Sequence, residues 1–191
     1  MAKTLYPQFK PIGELNDRIV VYDLKKLHYH IENNYLAGAS CSFLHNNASV
    51  NSFKQYSLKV FWNEQEAKNS YKRQKLASKI NLAPSVGKMF VVKSKTNKIY
   101  YWGYHTGRAG KPKWIDNFNK IQKDLKIKLK TIVAPSSDLP PEYATDKDCH
   151  LGGDLHIDNI GIWNGLYVCI DFGHHSLVQT NGRKLRTNFK W

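Results

Sequence analysis

Acidic and amide side chains occur close together in the last quarter of the chain. Asp154 is followed five residues later by Asn159, and Asp171 follows after a further twelve residues. Carboxylate and amide oxygens suit a hard cation such as Mg²⁺, which takes one or two protein oxygens together with phosphate and water. A further carboxylate at the same place could accept a proton. The three residues therefore predict a magnesium site with a general base beside it.

A β-hairpin is predicted between Asn159 and Asp171. Residues 160–163 are apolar apart from one glycine, and residues 166–170 are rich in aromatic and β-branched types. The dipeptide Asn164-Gly165 between them is the strongest short signal for a type I′ turn. Because a two-residue turn fixes the register, residue 159 should lie opposite residue 170.

This register would bring Asn159 and Asp171 side by side at the open end of the hairpin. Asp154 lies five residues before Asn159, close enough for its loop to fold back toward them. The alternative is an ordinary hairpin with acidic ends, since Asp and Asn are common in turns. The combination of these offsets with the Asn-Gly turn favours the metal site.

The residues from Gly153 to Asn159, followed by Asp171-Phe172-Gly173, resemble the catalytic and metal-binding loops of protein-kinase-like phosphotransferases. The Asp-Leu-His-x-x-Asn form is closer to atypical kinases, aminoglycoside phosphotransferases and small phage-encoded kinases than to eukaryotic protein kinases. The resemblance implies that Asp154 orients the attacking hydroxyl and accepts its proton. It also implies that Asn159 and Asp171 hold the Mg²⁺ ions that bridge the phosphates of ATP.

Residues 56–62 have the pattern of a β-strand that carries a lysine. Leu58, Val60 and Trp62 share one face, and Lys59 shares the other with Phe61. A lysine between apolar neighbours must bind an anion or reach solvent. By the resemblance Lys59 would contact the α- and β-phosphates of ATP, and a solvated strand lysine is the alternative.

A helix is predicted from Asn63 to about Ile80. Asn63 is a good N-cap, and Glu66 three residues later completes a pattern like a capping box. In the kinase family this helix carries a glutamate that pairs with the strand lysine. Glu66 is the candidate and Glu64 the reserve, while a purely capping role for Glu66 remains an alternative.

Two further stretches correspond by position to nucleotide-binding segments of the family. Small residues at Gly38, Ala39 and Ser40 would form the loop that covers the phosphates, although a tight hairpin of small residues explains them equally. The residues from Gly103 to Gly107 would be the hinge, with the backbone of Tyr104 holding the adenine edge. A plain glycine-flanked loop is the alternative there.

The resemblance implies an α+β fold of two lobes. Residues 1–104 would form the N-terminal lobe with an N-terminal extension, and residues 105–191 a reduced C-terminal lobe. Within the extension, the segment Ile19–Tyr22 could be a strand or part of a helix. Two strands are expected over 87–93 and 98–104, and a helix with a lysine-rich face over about 113–130.

The C-terminal lobe is expected to be truncated. Only 18 residues (191 − 173) follow Gly173, too few for the helices with which protein kinases dock a peptide. Small phage kinases also have a reduced C-terminal lobe, so a phage or parasite origin is expected. A second copy of the chain or a host partner would then complete the lobe.

Composition limits the class of protein. The chain has 191 residues and a formal net charge of +14, which attracts nucleotides, acidic proteins or nucleic acid. Its three cysteines include no Cys-x-x-Cys pair and suggest free thiols in a reducing cytosol. No stretch has the length of a membrane span. We therefore expect a cytoplasmic protein, in the host cytoplasm if it is phage-encoded.

A zinc centre is the alternative metal site. It would draw on cysteine and histidine side chains near the acidic stretch, namely Cys149, His150, His156, His174 and His175. No pair among them has a standard zinc spacing, and Asp and Asn ligands suit a harder ion. Magnesium is therefore the expected cation.

The expected function is that of a Mg²⁺- and ATP-dependent kinase acting on Ser or Thr of a protein. One alternative is phosphorylation of a small molecule, as by aminoglycoside phosphotransferases. Another is a basic binding protein on a kinase-like scaffold, docking an acidic partner or, less in favour, nucleic acid.

Overall fold

The computed structural model describes residues 12–15, 19–23, 36–37, 42–45, 56–94, 96, 98–112, 117–134, 149–173 and 177–179. Their architecture is mixed α+β, mainly β-sheet, and the described part contains two α-helices. This confirms the predicted α+β class. The chain divides into two compact units: a first unit of Met1–Lys68 with Val86–Arg108, and a second unit of Asn69–Ser85 with Ala109–Trp191.

A seven-stranded sheet forms the first unit. Its strands are β1 (Gly13–Leu15), β2 (Ile19–Asp23), β3 (Leu36–Ala37), β4 (Ser42–His45), β5 (Tyr56–Phe61), β6 (Val86–Lys93) and β7 (Ile99–Gly107), in the spatial order β1-β2-β6-β7-β5-β4-β3. All neighbours are antiparallel except β2 and β6, which run parallel. Of the two predictions for residues 19–22, the strand is therefore confirmed.

Apolar side chains of the central strands form the core of the first unit. The buried cluster consists of Val20, Tyr22, Leu58, Val60, Phe90, Val92 and Tyr101. Both faces of β5 are buried, because Lys59 and Phe61 are as enclosed as Leu58 and Val60. The strand ends at Phe61, and Trp62 beyond it is 59% exposed, with its ring against that of Tyr101 at 4.7 Å.

The first helix, α1 (Glu64–Ser78), begins where the sequence predicts. The Asn63 side chain accepts a hydrogen bond from the backbone N–H of Glu66 at 3.1 Å, as an N-cap does. The helix ends at Ser78, and Asn81 in the turn that follows has a left-handed backbone conformation, with φ of 61°. Its buried face is largely polar, carrying Asn69, Ser70, Arg73 and Gln74 beside Ala67 and Ala77.

The second unit holds the remaining elements. They are helix α2 (Phe118–Leu129), strands β8 (Val133–Ala134), β9 (Cys149–Leu151) and β12 (Leu177–Gln179), which form a three-stranded antiparallel sheet, and the hairpin β10 (Ile160–Trp163) with β11 (Leu166–Cys169). Helix α2 lies within the predicted range 113–130, of which residues 113–116 are outside the described part. Its lysine-rich face is exposed, while Leu125 and Leu129 are buried.

One apolar cluster underlies these elements. Its buried members are Ala77, Leu82, Ala83, Leu125, Leu129, Leu151, Leu155, Ile160, Cys169, Phe172 and Leu177. Leu155 and Phe172 belong to the two predicted loops, so both loops are anchored in the same core. Neither of the helices in the described ranges is long and apolar enough to cross a membrane.

Close approach of two strands requires glycine at position 103 in β7. A Cβ atom there would overlap the carbonyl oxygen of Lys59 and the ring of Phe90. We expect Gly103→Ala to lower the free energy of unfolding by about 1–3 kcal/mol, since backbone and ring must both shift. Chemical denaturation measures this. Gly13→Ala, in the same sheet with no atom within 4 Å of the new methyl group, should change little; equal losses in the two variants would contradict the prediction.

His105 links β7 to β2 and β6. The carbonyl oxygen of Lys88 can only accept, so Nδ1 of His105 donates to it at 2.7 Å and Nε2 accepts from the Tyr22 hydroxyl at 2.8 Å. Both bonds fit the neutral ring, and burial lowers the pKa of His105 below its ordinary 6.5.

The pKa of His105 is lower in the folded state than in the unfolded state. As pH falls below about 6.5, the unfolded state therefore binds more protons than the folded state. We therefore expect stability to be lost as pH falls from 6.5 toward the folded pKa, and no contribution from His105 to pH dependence above this range. Urea midpoints at pH 7.5 and 5.0 should fall further apart in the wild type than in His105→Gln. An equal fall in both proteins would contradict this.

Candidate active site

The hairpin β10–β11 has the predicted turn and the predicted register. Asn164 and Gly165 have φ of 51° and 77°, as a type I′ turn requires. Trp163 lies opposite Leu166, and the backbone N–H of Ile170 donates to the carbonyl oxygen of Asn159 at 2.9 Å. The prediction that residue 159 faces residue 170 is confirmed. Asp171 therefore follows directly on the residue paired with Asn159.

Asn159 ties the hairpin to the loop that begins at Asp154. It ends a short 3₁₀ turn (Ile157–Asn159) and is buried, with 8% of its surface exposed. Its Nδ2 donates to the backbone carbonyl of Asp154 at 2.7 Å and lies 3.0 Å from Nε2 of His156. A carbonyl oxygen only accepts, so the amide nitrogen must face the loop. The amide oxygen Oδ1 is therefore not the atom that contacts this carbonyl, and it could bind a cation.

Asp171 is oriented by its own loop. Its Oδ1 accepts a hydrogen bond from the backbone N–H of Gly173 at 3.0 Å, and its carbonyl accepts one from the Cys169 thiol at 3.1 Å. The next residue, Phe172, is 1% exposed in the core. The Gly173 N–H thus holds the carboxylate through Oδ1, and Oδ2 is the oxygen that could bind a cation.

The Asp154 side chain is partly exposed, at 32%, and so is accessible to a substrate. Its Oδ2 lies 3.9 Å from Nε2 of His156, too far for a hydrogen bond. His156 also lies 3.8 Å from the carboxylate of Asp158, which is 88% exposed. The backbone carbonyl of Asp154, the predicted base, accepts the hydrogen bond from Asn159, one of the predicted metal ligands.

The donor set fits Mg²⁺ bound together with phosphate. Asn159 Oδ1 and Asp171 Oδ2 would offer two hard oxygen ligands, the number that Mg²⁺ usually takes from a protein when phosphates and water complete its octahedron. Within the described ranges, no three His, Cys, Asp or Glu side chains come together as a metal site. Of the residues considered for zinc, His174 and His175 lie outside the described part.

Lys59 is enclosed in the sheet of the first unit. The side chain is 1% exposed, and Nζ lies 5.7 Å from the centroid of the Tyr104 ring, opposite it across β5 and β7. A cation over an aromatic face gains modest electrostatic stabilisation. Burial of an ammonium group is costly unless other groups compensate for its lost hydration.

The two candidate glutamates differ in their contacts. Glu64 forms an ion pair with Lys68 at 2.7 Å on the exposed helix surface. Glu66 is partly buried at the start of α1, and its backbone N–H is bound by Asn63. This difference favours Glu66 as the partner of Lys59, which stays a prediction.

The other nucleotide-binding predictions fall in different places. Gly38, Ala39 and Ser40 lie outside the described residues, between the paired strands β3 and β4. Tyr104 is fully buried inside β7 and stacks on Phe61 at 5.9 Å. The stretch 103–107 is thus strand, paired with β5 on one side and β6 on the other, and not an open loop.

Sequence reasoning missed Arg73. This residue of α1 is fully buried, and its Nη1 donates to the carbonyl oxygen of Phe172 at 2.9 Å. A helical period of small buried residues at Ala67, Ser70 and Ala77 surrounds it and could have placed it on the inner face. Its partner in a loop 99 residues away has no local signal.

In comparisons with known proteins, no family model matches the chain and no curated protein is significantly similar to it.

The contact between Asn159 and Asp154 gives a test of the site's architecture. Asn159→Asp replaces a donor by a carboxylate oxygen facing the Asp154 carbonyl. We expect a loss of about 1–3 kcal/mol in the free energy of unfolding, because a buried acceptor is left without a donor. Urea denaturation at pH 7.5 measures it. Asp158→Asn, in the same turn but exposed, is the control, and a stable Asn159→Asp protein would show that the amide does not hold the loop.

Proposed function

We propose that this protein is a Mg²⁺- and ATP-dependent phosphotransferase that phosphorylates Ser or Thr of a protein. The observation that carries the proposal is the backbone pairing at the open end of one hairpin, which puts Asp171 directly after the residue paired with Asn159. Register pairs residues 159 and 170, and the Asn159 amide binds the Asp154 backbone at 2.7 Å. We further propose a two-lobed kinase-like fold.

Asp154 acts as the general base in this mechanism. Its carboxylate accepts the proton of the attacking hydroxyl, whose oxygen forms a bond to the γ-phosphorus as the bond to the β,γ-bridging oxygen breaks and ADP leaves. The partial exposure of the side chain leaves room for an acceptor. Most of the rate enhancement comes from orientation and charge neutralisation, as is general for phosphoryl transfer.

Asn159 and Asp171 hold the cation, through Oδ1 and Oδ2 respectively. A bound Mg²⁺ would supply neutralisation of phosphate charge at this place. Lys59 binds the α- and β-phosphates, and Glu66 holds Lys59 in place. The position of Lys59 in strand β5, directly before the helix that carries Glu66, supports this role.

The net charge of the whole chain is the basis for proposing the phosphate acceptor. A net charge of +14 favours an acidic protein substrate or partner. A second copy of the chain or a host protein is proposed as a further partner. We place the protein in the cytoplasm, where ATP and Mg²⁺ are available and its free Cys169 thiol stays reduced.

Transfer of the γ-phosphate from labelled ATP tests the proposal. We expect the wild type to label itself or a generic protein, and Asp154→Asn to lower the rate by about 10²–10⁴-fold, since it removes the base. Asp171→Asn should abolish most transfer by weakening the metal site. Asp158→Asn changes an exposed carboxylate of the same loop and should keep the wild-type rate. Full transfer by Asp171→Asn would refute the assignment.

Outcomes without label separate the alternatives. ATP binding without transfer to protein, combined with ADP release in the presence of aminoglycosides or sugars, would identify a small-molecule kinase. Absence of ATP binding would favour the basic binding protein. In that case binding to nucleic acid that persists at physiological salt would indicate a nucleic-acid partner.

A further inference from the structure

The buried guanidinium of Arg73 binds the Asp-Phe-Gly segment directly. Arg73 has no exposed surface, and its Nη1 donates to the carbonyl oxygen of Phe172 at 2.9 Å. Burying a guanidinium is costly unless hydrogen bonds compensate for lost hydration. A hydrophobic residue would pack at this helix position without that cost. The bond to Phe172 therefore points to a role beyond packing.

The hydrogen bond from Arg73 and the one to Asp171 meet on a single peptide group. The carbonyl of Phe172 and the N–H of Gly173 belong to the same planar unit. Arg73 donates to the oxygen of this peptide group, and the N–H of the same group donates to Oδ1 of Asp171 at 3.0 Å. Because the unit is rigid, any rotation that breaks one hydrogen bond also disturbs the other.

Charge strengthens this connection. Hydrogen bonds from a guanidinium are stronger than those between neutral groups. A cation at the carbonyl oxygen also polarises the peptide group, which makes the N–H of Gly173 a better donor to Asp171. The Phe172 side chain, buried in the core, anchors the same segment by packing.

We propose that Arg73 is a positioning residue, which locks the Phe172–Gly173 peptide group and so holds the Asp171 carboxylate in the orientation that binds the divalent cation. The cation-binding part rests on the proposed function, whereas the locking of the peptide group does not. Arg73 itself touches neither the cation nor the phosphates in this scheme.

Gln74 provides a matched control on the same helix. It too is fully buried and donates a side-chain hydrogen bond to a backbone carbonyl, from Nε2 to the oxygen of Pro84 at 3.1 Å. Its partner belongs to the connection after α1 and not to the Asp-Phe-Gly segment. Gln74→Met therefore removes a comparable anchor whose carbonyl partner, that of Pro84, lies outside the peptide group beside Asp171.

The experiment compares Arg73→Met, Arg73→Lys and Gln74→Met with the wild type. Hydrogen exchange of the Gly173 amide, followed by NMR, reports the peptide group. Mn²⁺ titration in the presence of ATP, followed by electron paramagnetic resonance, reports the cation site without relying on transfer. Thermal midpoints of all variants show how much each change destabilises the fold.

In Arg73→Met we expect the Gly173 amide to exchange about tenfold faster or more, and the Mn²⁺ dissociation constant to rise by a similar factor, since a charged hydrogen bond is lost. Arg73→Lys should shift both several-fold in the same direction, because an ammonium lacks the guanidinium fork. Gln74→Met should lower the thermal midpoint but leave both values at the wild-type level.

Equal acceleration of Gly173 exchange in Arg73→Met and Gln74→Met would overturn the proposal, since it would indicate general destabilisation. If Arg73→Met does not fold, Arg73→Lys decides, and wild-type values of both readings there would overturn the proposal as well. A wild type that neither transfers phosphate nor binds Mn²⁺ would refute the proposed function alone. The exchange rates would still test the locking of the peptide group.

Discussion

The register of one hairpin is the constraint on which the candidate site depends. Only residues that tolerate positive φ can form the two-residue turn at Asn164-Gly165, and that turn leaves no freedom in how β10 and β11 pair. A slip by one residue would turn every side chain to the opposite face. Ile160 and Cys169, which face each other in the core, would then lose this placement, so burial and turn geometry enforce the same pairing. Asn159 and Asp171 meet at the open end as a consequence.

Polar groups at that open end are held by buried anchors. Leu155 follows Asp154 and Phe172 follows Asp171, and both apolar side chains lie in the core of the second unit. The backbone on either side is closed by hydrogen bonds from the Asn159 amide and from Arg73. A site built this way keeps its carboxylates near solvent while their backbone is fixed from below. Such preorganisation is what phosphoryl transfer needs, since its catalysis is largely positioning.

The first unit presents a different problem, a lysine in a strand that is buried on both faces. Sheet pairing places Lys59 opposite Tyr104, and the glycine at 103 lets the two strands approach closely enough to enclose it. The enclosure costs hydration free energy, which the face of the Tyr104 ring offsets only modestly. Under the proposed function, Lys59 is the residue that binds phosphate.

Local chemistry by itself determined the elements whose signals lie within a few residues: the Asn63 cap of α1, the Asn164-Gly165 turn, and through it the pairing of residues 159 and 170. Only the tertiary structure decided contacts between distant segments. It placed strand β2 parallel to β6 and enclosed Tyr104 within a strand where a hinge was expected. It also brought Arg73 to the carbonyl of Phe172. The physical reason is range. Caps and tight turns depend on the backbone angles of neighbouring residues, whereas a buried side chain finds its partner only when the whole core has packed.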